Sequence, residues 1–308
     1  MNVIAVNDVT DAKTLAHLLK YDSVFRKFEG TVQASPDGFT VDGSEVKVLS
    51  VRDPAEILWS KHDIDIVVES TGLFTSREAA SKHMKGGAKK VLISAPAKNP
   101  DITIVPGVNL DKYDPKSHNL VSLASCTTNC VTPLAKVLHD SCTIKHGFMT
   151  TAHAYTNDQR IQDLPHHDLR RARAAALSII PTSTGAAIAT TEVLPELKGK
   201  LHGVALRVPV PDGSIVDLVA EVERDATVDS VNQAFQRAAT GPMRGVLEYS
   251  EEPLVSADII GNPHSAVFDS LCTMVLESRL VKVFAWYDNE WGYSNRLVDM
   301  VQTMSKYF

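Results

Sequence analysis

Among the 16 glycines of this 308-residue chain, no two are separated by a single residue. A G-x-G phosphate loop is therefore missing, and with it the usual sequence fingerprint of dinucleotide binding. No apolar run approaches the ~18 residues that a membrane span requires. Positive charge is not in excess: 31 Lys and Arg face 37 Asp and Glu, for a net charge of −6. That balance, with a pI near 6.0, excludes a general nucleic-acid binder, which needs a basic surface. Cysteine is scarce. Cys126, Cys130, Cys142 and Cys272 are too few in a chain this long for a disulfide framework, so a reducing, cytoplasmic setting is expected. No secretory signal is expected, because the first residues already read as a strand. Internal repeats and low-complexity segments are absent. What remains is 44% apolar and 22% charged, an ordinary globular balance with length for two domains.

The first third alternates strand and helix patterns. "NVIAVND" is an apolar run with a polar end. "DAKTLAHLLKY" has helical spacing, with Leu15, Leu18 and Leu19 on one face. "GSEVKVLS", "DIDIVVES", "AKKVLISAP" and "NLVSLAS" read as strands, and "REAASKHMKGG" as a helix stopped by a glycine pair. This alternation predicts a mostly parallel sheet with helices on both faces. Ligands of such sheets lie beyond the carboxyl ends of the strands. Asp8 stands at such an end. It is either a turn residue beside Asn7 or the acid that holds a ribose hydroxyl. In the second case the glycine loop would lie ahead of Met1. "ESTGLF" (69–74) ends another strand with small polar residues, and is either a close approach to a ligand or a turn.

The middle of the chain carries the chemistry. In "LASCTTNCVTPLAKVLHD" a strand ends at Ala124 and a helical pattern runs through Val131, Leu134 and Leu138. Cys126 thus lies at a helix N-terminus, where partial positive charge favours a nucleophilic thiolate. Cys130, Cys142 and Cys272 read as small buried residues. His153 ends an apolar strand in "GFMTTAHAYTNDQR" and is a candidate base for Cys126, although it is one of 11 histidines. His166 and His167 lack metal-ligand spacing, and no metal site is expected. Arg170, Arg171 and Arg173 form either a solvated or interface face or an anion site, the latter helped by Thr184 and Gly185 at a helix start. Arg207, inside the apolar strand "GVALRVPVP", requires a fixed anionic partner.

From "GVALRVPVP" onward the strands lengthen and partly alternate. "IVDLVAEVERD", "SAVFDSLCTMVLES" and "LVKVFAWYD" predict a mixed or antiparallel sheet, covered by helices such as "TVDSVNQAFQRAA". The tail "SNRLVDMVQTMSKYF" predicts a closing helix with Leu297, Val298, Val301 and Met304 on its apolar face.

"ASCTTNC", "HAYTNDQR", "DLRRARAAA", "STGAA", "LRVPVP" and "WYDNEWGYSNR" stand here in one order and spacing. Through them the chain, from residue 2 to 308, resembles the phosphorylating glyceraldehyde-3-phosphate dehydrogenases of the NAD-using glycolytic type. Asp8 would repel a 2′-phosphate, which argues against NADP, and Leu164-Pro165 is similar to the NAD-type loop. The resemblance implies an α/β fold: a Rossmann-type NAD-binding domain at 1–125 without its first strand and glycine loop, an α+β catalytic domain at 126–289, and a closing helix at 290–308 packed on the NAD-binding domain. It implies oxidation of glyceraldehyde 3-phosphate with inorganic phosphate and NAD to 1,3-bisphosphoglycerate. Cys126 would form the thiohemiacetal and thioester, with His153 as proton acceptor. By resemblance, Ser125, Thr127, Thr156, Arg171, Thr184, Gly185 and Arg207 supply two phosphate pockets. Asp8, Arg52, Thr71, Phe74 and Ser94 would line the adenine and ribose side, and Asn289, with Tyr293 close by, would fix the nicotinamide amide. Residues 155–178 resemble a loop that packs against a neighbouring subunit, which implies a homotetramer.

Two departures stand out. Ile188 occupies a position where the family usually has Lys, as either a surface change or a lost charge. Roughly 25 residues of the opening strand-loop-helix unit have no counterpart, so Met1 falls inside a fold unit. Pyrophosphate sits on that loop, so weak NAD binding is expected of the chain as it stands. Two alternatives accompany the dehydrogenase reading: a truncated thiol enzyme deficient in NAD, and a non-catalytic remnant that binds other subunits.

Overall fold

Strand Ala5–Asn7 runs parallel to Ser44–Leu49, with Ala5 opposite Lys47 and Asn7 opposite Leu49. The computed structural model describes residues 1–308, which divide into two compact units. One comprises 1–102, 114–122 and 299–308; the other comprises 103–113 and 123–298.

The first unit holds two four-stranded sheets. In one, Ala5–Asn7, Ser44–Leu49, Gly38–Val41 and Val32–Ser35 lie side by side. The last two pair antiparallel, as do Gly38–Val41 and Ser44–Leu49. The sheet is therefore less parallel than the alternation predicts. Asp42 and Gly43 both take positive φ, 48° and 82°, and make the two-residue reversal whose twist matches a hairpin. In the second sheet Ile66–Glu69, Lys90–Ile93 and Leu120–Ser122 run parallel, as expected.

Helix Ala12–Lys20 is capped by Asp11, whose carboxylate accepts from Thr14 N–H. Its buried residues are Ala12 and Ala16, and Leu15 packs beside Val32, Phe39 and Val46. Leu18 and Leu19 are exposed, contrary to the face drawn from leucine spacing. Small residues let this helix sit close to its neighbouring strands. The segment "REAASKHMKGG" forms two short turns, Arg77–Ala80 and Lys82–Lys85, rather than one helix. The break falls at Ser81, whose hydroxyl donates to the Glu78 carbonyl, the local bonding that makes serine a poor mid-helix residue.

The second unit is built on a seven-stranded sheet in the order Ile180–Ser183, Leu201–Val208, Ile144–Ala154, Ser214–Val222, Leu280–Tyr287, Ala266–Leu276, Leu247–Ser250. Leu201–Val208 is parallel to Ile144–Ala154, and the three central pairings beyond it are antiparallel. Ser214–Val222 alternates buried and half-buried side chains along its length, as a one-sided sheet requires.

Helix Cys126–Cys142 supplies the core that covers this sheet. Cys130, Leu134, Ala135 and Leu138 pack with Val216, Leu218, Ala220, Phe268 and Val283. Cys130 and Cys142 are buried as expected, whereas Cys272 is half-buried. Helix Val228–Thr240 adds Val231 and Phe235. In helix Trp291–Ser305 the buried residues are Gly292, Arg296, Met300 and Met304, and Val298 is exposed rather than part of the apolar face. No helix is long and apolar enough to cross a membrane.

Candidate active site

Cys126 is the first residue of its helix, and Ser125 is the N-cap, its hydroxyl accepting from Thr128 N–H at 3.1 Å. Ala124 enters this turn with φ of 54°, a left-handed conformation that a Cβ disfavours by ~1–2 kcal/mol. Its carbonyl is pinned by the Tyr293 hydroxyl at 2.9 Å. His153 is the penultimate residue of strand Ile144–Ala154, and its Nε2 stands 3.4 Å from Cys126 Sγ. The register places Arg207 opposite His153 on the adjacent strand. Arg207 Nη1 donates to the Ala154 carbonyl at 2.9 Å and reaches His153 Nδ1 at 2.6 Å. Nδ1 is also 2.7 Å from that carbonyl. With Nδ1 engaged there, Nε2 is the ring atom aimed at sulfur.

Electrostatics at this pair follow from burial and one cation. Loss of water pushes the Cys126 thiol up, and Arg207 and backbone hydrogen bonding at the helix start pull against that rise. Burial, then Arg207, lowers His153 to about 3. The resting pair is therefore a neutral thiol facing a neutral imidazole. Such a pair moves a proton from sulfur to nitrogen only as charge is created on the substrate.

Arg207 has no carboxylate within bonding range, contrary to one form of the expected anionic partner. Its Nε is buried with no hydrogen-bond partner. An orphaned guanidinium N–H suits an anionic oxygen supplied from outside the chain. Arg171 is more committed: it donates to the Thr182 hydroxyl at 2.9 Å and pairs with Asp158. Thr184 and Gly185 precede helix Ala186–Val193, where the Thr184 hydroxyl accepts from Ala186 N–H at 3.2 Å. The Thr127 hydroxyl is tied to Tyr287 at 3.0 Å, and Thr156 N–H donates to Gln159.

The residues expected on the cofactor side fall in both units. Asp8 follows strand Ala5–Asn7 and accepts from Thr10 N–H, so the turn role is present. Arg52 follows Ser44–Leu49, and Asn7 clasps Val51 with both atoms of its amide. Thr71 follows strand Ile66–Glu69. Its N–H and hydroxyl both donate to Glu69, whose other oxygen meets His83 Nε2 at 2.8 Å. Burial would raise Glu69, but the bonds from His83 and Thr71 outweigh it and hold the carboxyl below its usual range. Ser94 follows Lys90–Ile93, and Phe74 lies edge-on to His83. These are carboxyl ends of parallel strands, where the sheet presents ligands. In the second unit Asn289 is buried and its amide oxygen accepts from the Ser214 hydroxyl at 2.7 Å. The rest of that amide is left to pair with a carboxamide, so the residue fits the nicotinamide end of NAD.

Residues 125–289 match the family model described as glyceraldehyde 3-phosphate dehydrogenase, C-terminal domain. The chain belongs to the glyceraldehyde 3-phosphate dehydrogenase family. Residues 1–77 match that family's NAD binding domain. The chain is 61% identical over 300 residues to glyceraldehyde-3-phosphate dehydrogenase of Geobacillus stearothermophilus, covering 97% of this chain and 90% of that protein. It is 60% identical to glyceraldehyde-3-phosphate dehydrogenase 2 of Streptomyces avermitilis over the same shares. With the Mycobacterium leprae protein of the same description it shares 56% over 308 residues, covering 99% of this chain and 90% of that one. The protein is thus an NAD-dependent oxidoreductase of this family.

Four neighbours of the site carry no signal of their role in the sequence. Tyr287 bridges Thr127 and Thr151 by its hydroxyl, and its ring is edge-on to His153 at 5.9 Å. Ser214 links Asn289 to Ala154, whose N–H it accepts at 3.0 Å. Asp288 precedes Asn289 and Asp212 stands two residues before Ser214, and both are buried. Each sits in an unremarkable alternating or turn pattern, and only strand pairing brings them to the site.

Proposed function

We propose that this protein oxidises glyceraldehyde 3-phosphate with inorganic phosphate in glycolysis or gluconeogenesis, in a cytoplasmic setting, through a covalent intermediate on Cys126. The observation that carries the reading is the 3.4 Å approach of Cys126 Sγ to His153 Nε2, flanked by Arg207. Sulfur attacks the aldehyde carbon while its proton passes to Nε2, giving a thiohemiacetal whose oxygen carries the negative charge opposite the imidazolium. NAD held at Asn289 would supply the hydride acceptor that carries this adduct to a thioester. Phosphate oxygen then attacks the acyl carbon, the C–S bond breaks, and an acyl phosphate departs. Arg207 and Arg171, with Ser125, Thr127, Thr156, Thr184 and Gly185, hold the two phosphates. Asn289 fixes the carboxamide of NAD, Tyr293 steadies the turn before Cys126, and Asp8, Arg52, Thr71, Phe74 and Ser94 take the adenosine side.

The protein works as a homotetramer in this reading. The support is the exposed apolar set Ile161, Leu164, Leu169 and Leu177 within 155–178, too concentrated for an open surface.

Replacement of Cys126 by Ser is the direct test. We expect loss of dehydrogenation and of fast iodoacetate labelling together. Persistent fast labelling at another cysteine would overturn the assignment. Titrating NAD into the 308-residue protein separates the dehydrogenase from a thiol enzyme that holds NAD weakly: stoichiometric binding with normal turnover supports the first.

A further inference from the structure

Strands Ser214–Val222 and Leu280–Tyr287 pair antiparallel, with Ser214 opposite Tyr287. The turn before the first strand and the turn after the second therefore meet at one end of the sheet. Asp212 lies in the former and Asp288 in the latter, and each is only 1% exposed. Asp288 accepts on both oxygens: Oδ1 from Glu290 N–H at 2.9 Å and Trp291 N–H at 2.7 Å, Oδ2 from Gly261 N–H at 2.8 Å. Asp212 Oδ1 accepts from Gly213 N–H at 2.8 Å, whereas Oδ2 is buried with no donor. An ionised oxygen in that position would be a desolvated charge at the sheet end that also carries the Asp288 carboxylate, with which Asp212 interacts. A proton on Asp212 removes the charge and turns the orphan oxygen into a donor toward Asp288.

We infer that one proton shared between Asp212 and Asp288 locks the two turns that present Ser214 and Asn289, making Asp212 a positioning residue for the cofactor. This rests on the reading that Asn289 binds the carboxamide of NAD. Burial first, then the Asp288 charge, raises Asp212 to about 7. Glu290 adds further negative charge. The short helix Ser256–Ile259 packs against Gly213 and brings Asp258, which is held by Val255 N–H. Helix Trp291–Ser305 brings Arg296, whose guanidinium donates to the Gly245 carbonyl. Gly213 has φ of 84°, and a Cβ there would stand 2.3 Å from the Ser256 carbonyl oxygen. The turn therefore has little freedom to relieve two ionised carboxyls by rearranging.

The direction with pH is fixed by this arrangement. Cofactor binding favours the protonated pair, so affinity is full below the Asp212 midpoint and falls as pH rises through it, by at most about tenfold per unit. The experiment is calorimetric NAD titration from pH 6 to 9 on wild type, Asp212→Asn and Asn289→Ala. Wild type should weaken several-fold above neutrality. In Asp212→Asn the side-chain amide donates to Asp288 at every pH, and that weakening should vanish. Asn289→Ala should bind weakly throughout. A flat wild-type profile, or an unchanged slope in Asp212→Asn, overturns the inference. If Asn289→Ala binds as wild type does, the role of Asn289 fails, while the Asp212→Asn comparison still decides whether the pair controls affinity. Should Asp212→Asn not fold, carboxyl-carbon NMR titration of wild type decides: a midpoint near 7 supports the shared proton, and an ordinary one near 4 overturns it.

Discussion

Arg207 acts on both members of the thiol–imidazole pair. Its cation draws the thiol toward ionisation and holds the imidazole in its neutral form. Each effect leaves His153 able to receive the Cys126 proton. Arg207→Gln removes the cation and keeps part of the hydrogen bonding. The thiol then loses a stabiliser of its ionised form, so its half-ionisation moves to higher pH. Alkylation of Cys126 by iodoacetamide, a neutral reagent, should show its pH midpoint shifted upward in this variant. An unchanged or lower midpoint would mean that the helix start alone tunes the thiol. A second outcome follows from the orphaned Nε: KM for inorganic phosphate or for the phosphorylated aldehyde should rise about tenfold or more, matching loss of a charge-assisted bond of ~1.5–3 kcal/mol. Cys126 and Arg207 could be singled out from sequence because each breaks its local pattern, a nucleophile at a helix start and a charge in an apolar strand. Asp212 and Asp288 break no pattern, since aspartate belongs in turns. Their meaning arises from a contact between distant segments.

Helix Cys126–Cys142 places the nucleophile at one end and the core at the other. Leu134 in its middle is fully buried among that core. Leu134→Ala should cost ~2–5 kcal/mol and lower the thermal midpoint without changing the labelling chemistry of the surviving fold. Helix Val228–Thr240 is started by Thr227, whose hydroxyl accepts from Ser230 N–H while Ser230 Oγ accepts from Thr227 N–H. Thr227→Ala should cost only ~1 kcal/mol, so the core variant must melt well below the cap variant. Elements of this kind were legible because burial and capping leave periodic marks. The long strands and the extent of the closing helix follow those marks. The hairpin around Asp42-Gly43 carried a readable signal, a D-G pair between short strands, but its polar flanks hid it. The leucine face of helix Ala12–Lys20 is misleading because Ala12 and Ala16, with Leu15 alone of the leucines, make its contact, and alanine gives almost no periodic signal.

At the scale of the whole molecule, segment 155–178 concentrates exposed apolar side chains. Leu169 is 81% exposed and Leu177 is 84% exposed. The charged residues of the same segment are largely satisfied internally: Arg171 with Asp158, and Arg173 with Asp163. Polar groups that pair within the loop and apolar groups that point away from it are what a surface needs when a second copy covers it. Covering one leucine fully contributes ~1.5–3 kcal/mol, and in a symmetric assembly every copy makes that contribution. Replacing both leucines by aspartate should therefore cost several powers of ten in association. Sedimentation equilibrium of the wild type should give a mass near four times the 33.5 kDa chain. Leu169→Asp with Leu177→Asp should shift it toward smaller species at micromolar concentration, with the circular dichroism of the chain preserved. A wild type that sediments at the chain mass, or a double variant of unchanged mass, would remove this segment from the interface and leave its exposed leucines without a role.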